Sequence, residues 1–236
     1  MALSGRTLHS TIHASMLDIN PLLIFLLLTL PGASIAAQER QVGILGRFSG
    51  SSGTSSLTSW GVSGLLAADV APRTKAVVTV SVDRAGKTYR PDSRGWAVAA
   101  TGDIRVFLTE RVFVSGGASL GRVCYPDHQV EPAYCKNAFN PRLGAGFATD
   151  RVSVSYAYVF PDRSTFDTLN GVRVGNRTRA HEIDLITFLP VSPVSKWRYV
   201  LRGTYRRLAF IQPYAPQAGT LHGNVFVFSF GLSRRF

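Results

Sequence analysis

The strongest constraint on this chain is a period-two alternation of apolar and polar residues that recurs after residue 40. Between Trp96 and Thr109, one parity carries Trp96, Val98, Ala100, Ile104, Val106 and Leu108, with Gly102 in register. The other carries Ala97, Ala99, Thr101, Asp103, Arg105 and Thr109. Successive side chains of an extended strand point to opposite faces, so such a segment needs apolar surroundings on one side and polar ones on the other. The pattern returns in Ala76/Val78/Val80/Val82, in Val112/Val114/Ala118/Leu120 and in Val152/Val154/Tyr156/Tyr158/Phe160. In Trp197/Tyr199/Leu201/Tyr205 the apolar face opposes Lys196, Arg198, Arg202 and Arg206. A soluble β-sandwich also alternates, but it would turn its basic face to water and close its aromatic face into a core. No amphipathic helix of comparable strength follows residue 40, and the chain is expected to be all-β.

The connections sort these strands further. Short ones fall near Ala71–Thr74, Thr109–Arg111, Thr149–Arg151 and Val191–Ser195, and longer polar ones near 49–59, 84–94, 124–140, 161–177 and 212–221. They alternate along the chain, as in a transmembrane barrel with short turns on one side and long loops on the other. The strands between them number ten: 41–48, 60–70, 75–83, 95–108, 111–122, 142–148, 151–160, 178–189, 196–210 and 222–236. An even number lets the last strand pair with the first, so no open edge is left in hydrocarbon. The first segment is the weakest, because Gly43 and Gly46 interrupt it, and eight strands is the alternative. The expected fold is therefore a closed antiparallel transmembrane β-barrel.

Export is read from the first forty residues. Leu22–Leu30 is a short apolar run followed by Pro31-Gly32 and the small residues Ala33-Ser34-Ile35-Ala36-Ala37, the layout of a cleavable signal peptide. The run is short for a transmembrane helix. The leading region is long and weakly charged, with Met16 as a second candidate start. Cleavage after Ala36 or Ala37 makes 1–37 the signal peptide and 38–236 the barrel domain. It removes Arg6 and Asp18 and leaves the formal charge at +12.

That charge raises the question of nucleic acid, but the basic residues are scattered and form no basic helix or aromatic platform. An anionic lipid surface suits them better. Cys124 and Cys135, the only two cysteines, lie in a polar segment, and an oxidising compartment would let them close a disulfide in an external loop. No spacing points to a metal or a cofactor.

The last strand places Phe226, Phe228, Phe230, Leu232 and Phe236 on one parity and ends on an aromatic. It resembles the C-terminal strand of small bacterial outer-membrane β-barrel proteins, with Arg234 departing from the apolar residue usual there. The resemblance covers the architecture of the whole chain but, in sequence, only this strand, and it selects no functional subfamily. It implies a place in the bacterial outer membrane with both termini in the periplasm. The implied partners are outer-membrane lipids, anionic lipopolysaccharide among them, and the barrel assembly machinery, which recognises such strands; nucleic acid is not among them.

Two kinds of chemistry are then expected inside and above the barrel. Pairing the strands through Val191–Ser195 about Pro193 sets Asp184 opposite Arg202 and Glu182 opposite Thr204, diagonal to Arg202 and Arg206. Buried charges demand partners, so this reads as an ionic ladder filling a narrow lumen, with Phe188 and Phe210 beside it. At the rim, closure of the first strand on the last would bring His222 toward Ser49, a conceivable nucleophile and base. No carboxylate is placed to orient that histidine, and His128 and His181 read as ordinary polar residues, so no catalytic residue is assigned. The basic residues Arg84, Lys87, Arg90, Arg94, Arg163, Arg173 and Arg177 are expected outside. The preferred function is a non-enzymatic outer-membrane barrel with a structural, adhesive or surface-interaction role and at most a narrow, porin-like conduit. The alternative is a lipid-directed hydrolase, such as a lipid A deacylase or a phospholipase.

Overall fold

Strands that need two different surroundings find them when a sheet curls until its ends meet, and the computed structural model of the chain shows this closure. It describes residues 39–52, 58–85, 95–125, 134–161, 165–167, 173–175, 179–211 and 220–236. Chain order is β1 (Arg40–Ser52), β2 (Thr58–Ala71), β3 (Thr74–Ala85), β4 (Trp96–Phe107), β5 (Val112–Tyr125) and β6 (Tyr134–Ala148). There follow β7 (Val152–Val159), β8 (Thr165–Asp167), β9 (Arg173–Gly175), β10 (Arg179–Pro190), β11 (Trp197–Ile211) and β12 (Thr220–Arg235). Ten strands form one closed barrel in the order β1-β12-β11-β10-β7-β6-β5-β4-β3-β2, and β8 and β9 pair separately. The ring shuts along β1 and β12, from Gln41 opposite Arg235 to Ser52 opposite Asn224. The segment interrupted by Gly43 and Gly46 is thus a full barrel strand, paired on both sides.

Parity divides inside from outside as the sequence requires. Leu45, Leu65, Val77, Ile186 and Val200 are buried inside, whereas Phe226, Phe228 and Phe230 are each more than half exposed on the outer wall. An exposed apolar band of this extent, covering every strand of the ring, is a wall solvated by lipid.

Strand ends differ from the sequence expectation where pairing outlasts the apolar pattern. β5 and β6 continue to the pair Tyr125–Tyr134, so much of the expected loop 124–140 is strand. Pro141 does not end β6: it stands opposite Ala118, and its carbonyl still accepts from the Phe160 N–H at 2.8 Å. The same geometry corrects the cysteines. The Cys124–Cys135 disulfide expected in an external loop is overturned, since no cysteine pairing is found among the described residues. The two residues are opposed positions of the β5–β6 ladder, in strand rather than in an external loop.

The β2–β3 turn holds the one positive-φ residue other than glycine among the described residues, Arg73 at φ 59°. Pro72 before it and a left-handed residue at the next position are the combination a type II turn demands, and there an L side chain crowds the backbone. Arg73→Gly is therefore expected to stabilise the refolded barrel by about 0.5–1 kcal/mol. A urea unfolding midpoint that stays put or falls would contradict this.

Candidate functional site

The interior is built in two storeys. Toward the short turns, Leu45, Leu65, Val77, Ile186 and Val200 form an apolar cluster with Ala67 and Phe188 packed against it. Phe113, fully buried, extends this floor. Phe107 lies 5.4 Å from its ring, and the Arg105 guanidinium lies over it at 4.8 Å.

Above the floor the lumen is ionic. Glu182 on β10, 2% exposed, stands opposite Arg206 of β11 and accepts from its Nε at 2.8 Å. Its other oxygen accepts from Arg142 Nη2 at 2.9 Å, reaching in from β6. Arg142 Nε also lies 3.1 Å from Asp103 Oδ1 of β4. Asp184 accepts from Thr204 Oγ1 at 2.7 Å and from Arg202 Nε at 2.8 Å. Arg202 then crosses the lumen, its Nη1 donating to Thr79 Oγ1 of β3 at 2.9 Å. Arg47 on β1 pairs with Asp83 on β3 at 3.0 Å, and Arg105 donates to Ser153 at 3.2 Å. The Arg142–Asp103 and Arg47–Asp83 contacts have the distance of ion pairs but not hydrogen-bond angles. They are Coulombic contacts, less directional than the aligned bonds of Glu182 and Asp184.

The inward residues expected from parity are all here, but their partners moved. Glu182 faces Arg206, Asp184 faces Thr204, and Arg202 faces Ile186. The turn is wider than expected: Val191 N–H bonds the Trp197 carbonyl, which centres the hairpin on Val194 rather than Pro193. Moving the centre by one residue shifts every partner by two, which preserves the faces. Arg198 faces inward at the mouth near the short turns, donating to the Asp150 carbonyl at 2.8 Å.

The expected Ser49–His222 approach does not occur. Ser49 stands opposite Val227, five residues along β12 from His222, a separation of roughly 16 Å along the strand. Ser49 shares the inward parity and hydrogen-bonds Ser59 instead, while His222 shares the outward one. His181 and Glu182 occupy opposite faces of β10, so that histidine bonds Tyr156 Oη through Nδ1 at 2.7 Å on the outer wall. His128 lies outside the described residues, as do Lys87, Arg90, Arg94, Arg163 and Arg177; Arg173 is on β9. Among the described residues no group of three or more His, Cys, Asp or Glu is arranged to hold a metal.

One feature was not anticipated from the sequence. Arg84, assigned there to a loop, lies on β3 directly between Trp60 of β2 and Trp96 of β4. All three are exposed on the outer wall at the long-loop end. Arg122, opposite Val98, shares the outward parity one strand further on. The signal was present as parity, since Arg84 continues the even-numbered apolar row that ends at Val82.

No family model matches the sequence, and no curated protein does. Solved structures similar in fold include Ail, the attachment invasion locus protein of Yersinia pestis, with a TM-score of 0.39, 11% identity, and coverage of 85% of this chain and 100% of that one. The β domain of the Bordetella autotransporter BrkA gives a TM-score of 0.48 and 12% identity over 84% of this chain and 99% of that one. The translocator domain of the autotransporter NalP from Neisseria meningitidis gives 0.45 and 13% over 92% and 94%. At such identities these likenesses concern architecture alone, and the chain has to be read from its own geometry. By that geometry, a closed ten-stranded antiparallel ring with an apolar outside and an ion-paired inside, it has the fold of a transmembrane β-barrel, similar in architecture to these structures and assigned to no functional subfamily.

Proposed function

We propose that the chain is an exported, non-enzymatic outer-membrane barrel that acts through its outer surface and loops, in a structural, adhesive or surface-interaction role. Residues 1–37 serve as the cleavable signal peptide. An even strand number returns the chain to the side on which it entered, so a barrel inserted from the periplasm would keep both ends there. The terminal strand, with Phe226, Phe228, Phe230 and Phe236 in phase, is the segment offered to the barrel assembly machinery. Arg84 between Trp60 and Trp96, with Arg122 beside them, suits phosphates of lipopolysaccharide at the outer interface, where aromatic girdles and basic side chains meet headgroups.

The observation that carries this reading is the crossing of the lumen by Arg202, held by Asp184 on one wall and Thr79 on the other above the apolar floor. Charged groups committed to each other are not available to a passing solute, and the apolar cluster of Leu45, Leu65, Val77, Ile186 and Val200 fills part of the interior beside them. The barrel refolded into planar bilayers in concentrated KCl should show no steady open-channel steps. Arg202→Ala should introduce small, flickering ones by clearing the crossing. Stable conductance of the unmodified barrel would overturn the reading in favour of a pore.

A further inference from the structure

Arg234 is the residue that breaks the apolar pattern of the last strand, and the ring gives it a setting the sequence did not reveal. It stands opposite Trp197 of β11 and Val42 of β1, on the outer wall at the short-turn end. Its guanidinium lies 5.7 Å from the Trp197 ring centre and 5.0 Å from that of Phe236, so two aromatic rings hold it against the wall. It has no carboxylate partner among the described residues, whereas its neighbour Arg235 is paired with Glu39.

Beside it runs a groove of about 650 Å³ along the seam where β11, β12 and β1 meet. Val42, Ile44 and Leu232 line it, and Tyr199 and Phe230, stacked with centroids 6.3 Å apart at 10°, form a flat wall. Gly231 allows β12 to close on β1 here: a β-carbon at that position would stand 2.0 Å from the Ile44 carbonyl oxygen and 2.6 Å from the Leu45 α-carbon. The result is an apolar trough with, at its polar end, one cation that lies against two aromatic rings and has no carboxylate partner among the described residues.

We propose that this groove holds an acyl chain of an anionic glycerophospholipid whose phosphate rests on Arg234. The occupant follows from charge and position. A cation held close to two aromatic rings at the edge of hydrocarbon is matched by a phosphate, and an apolar trough beside it by a fatty chain. The groove lies at the short-turn end, opposite the Trp60–Arg84–Trp96 belt. It therefore opens on the phospholipid leaflet if the barrel has the orientation proposed above, on which the inference rests.

Trp197 reports on the site directly. In a W60F/W96F variant it is the sole tryptophan, since the chain has three. With this variant reconstituted in phosphatidylcholine bilayers, brominated phosphatidylglycerol should quench Trp197 with an apparent preference of about fivefold over brominated phosphatidylcholine, the effect of a single interfacial cation. Arg234→Gln should abolish the preference and Arg234→Lys should retain most of it, which separates charge from packing. Equal quenching by the two lipids, or a preference that survives R234Q, would overturn the proposal. So would a Trp197 that neither lipid quenches while Trp60 and Trp96 of a W197F variant are quenched, because protein, such as a second copy of the chain, would then cover the groove. If neither lipid reached any of the three tryptophans, the membrane-barrel reading itself would fall, and the proposal with it.

Discussion

Glu182→Ala is expected to destabilise the folded barrel by about 3–5 kcal/mol, the largest effect of any single truncation in the lumen. Glu182 is 2% exposed and serves two arginines from different strands, Arg142 of β6 and Arg206 of β11. Removing it deprives two guanidinium groups of their aligned partner, Arg142 with a side chain only 7% exposed and Arg206 with one 38% exposed, so the cost falls mainly on Arg142. Attraction between β6, β10 and β11 becomes repulsion, and neither arginine has a second carboxylate as well aligned. Arg142 keeps only its Coulombic contact with Asp103. The ion pairs themselves need not be net stabilising compared with well-packed apolar residues, because the cost of desolvating them is large. The loss therefore comes from orphaning partners. Combining Glu182→Ala with Arg206→Met should recover part of the stability. Urea titration of the refolded protein, followed by its heat-modifiable gel mobility, supplies both midpoints. A Glu182→Ala midpoint within error of the parent would show that these charges are solvated, and the closed-lumen description would have to be given up.

Phe228→Arg is expected to cost about 2–4 kcal/mol, because the side chain sits at mid-height on the lipid face and a cation there must leave water. Phe228 is 55% exposed, and its ladder partners are Phe48 of β1 and Gly203 of β11, near the middle of both pairings. The matching control is Val112→Arg. Val112 has similar exposure but begins β5 beside a short turn, where the side chain can reach the interface and the cost should fall to about 0–1 kcal/mol. Equilibrium folding into lipid vesicles across a denaturant series measures both. Equal costs at the two positions would mean that the outer wall is not embedded to its mid-height, and a soluble sheet protein would then be the better description.

Both experiments test a division between faces that is legible in the amino-acid sequence. Asp103, Arg105, Glu182, Asp184 and Arg202 belong inside and Phe226, Phe228 and Phe230 outside because strand side chains alternate with a period of two, a property of the backbone independent of partners. The alternation of long and short connections likewise carried the strand count and the closure of the last strand on the first. Which charge meets which was not legible in the same way. A hairpin centred on Val194 instead of Pro193 leaves every face unchanged yet moves Glu182 from Thr204 to Arg206, so the pattern could not resolve the register. The contacts that close the lumen join residues distant in sequence. Arg142 reaches Glu182 and Arg202 reaches Thr79 because a ten-membered ring brings β6, β10, β11 and β3 around one axis. The same ring separated Ser49 from His222, made opposed ladder positions of Cys124 and Cys135, set Arg84 between two tryptophans and laid Arg234 beside a groove. Local alternation thus determined the environment each strand residue requires, whereas the neighbours that satisfy it depend on register and ring closure, which are properties of the whole sheet and are decided only when all ten strands are in place.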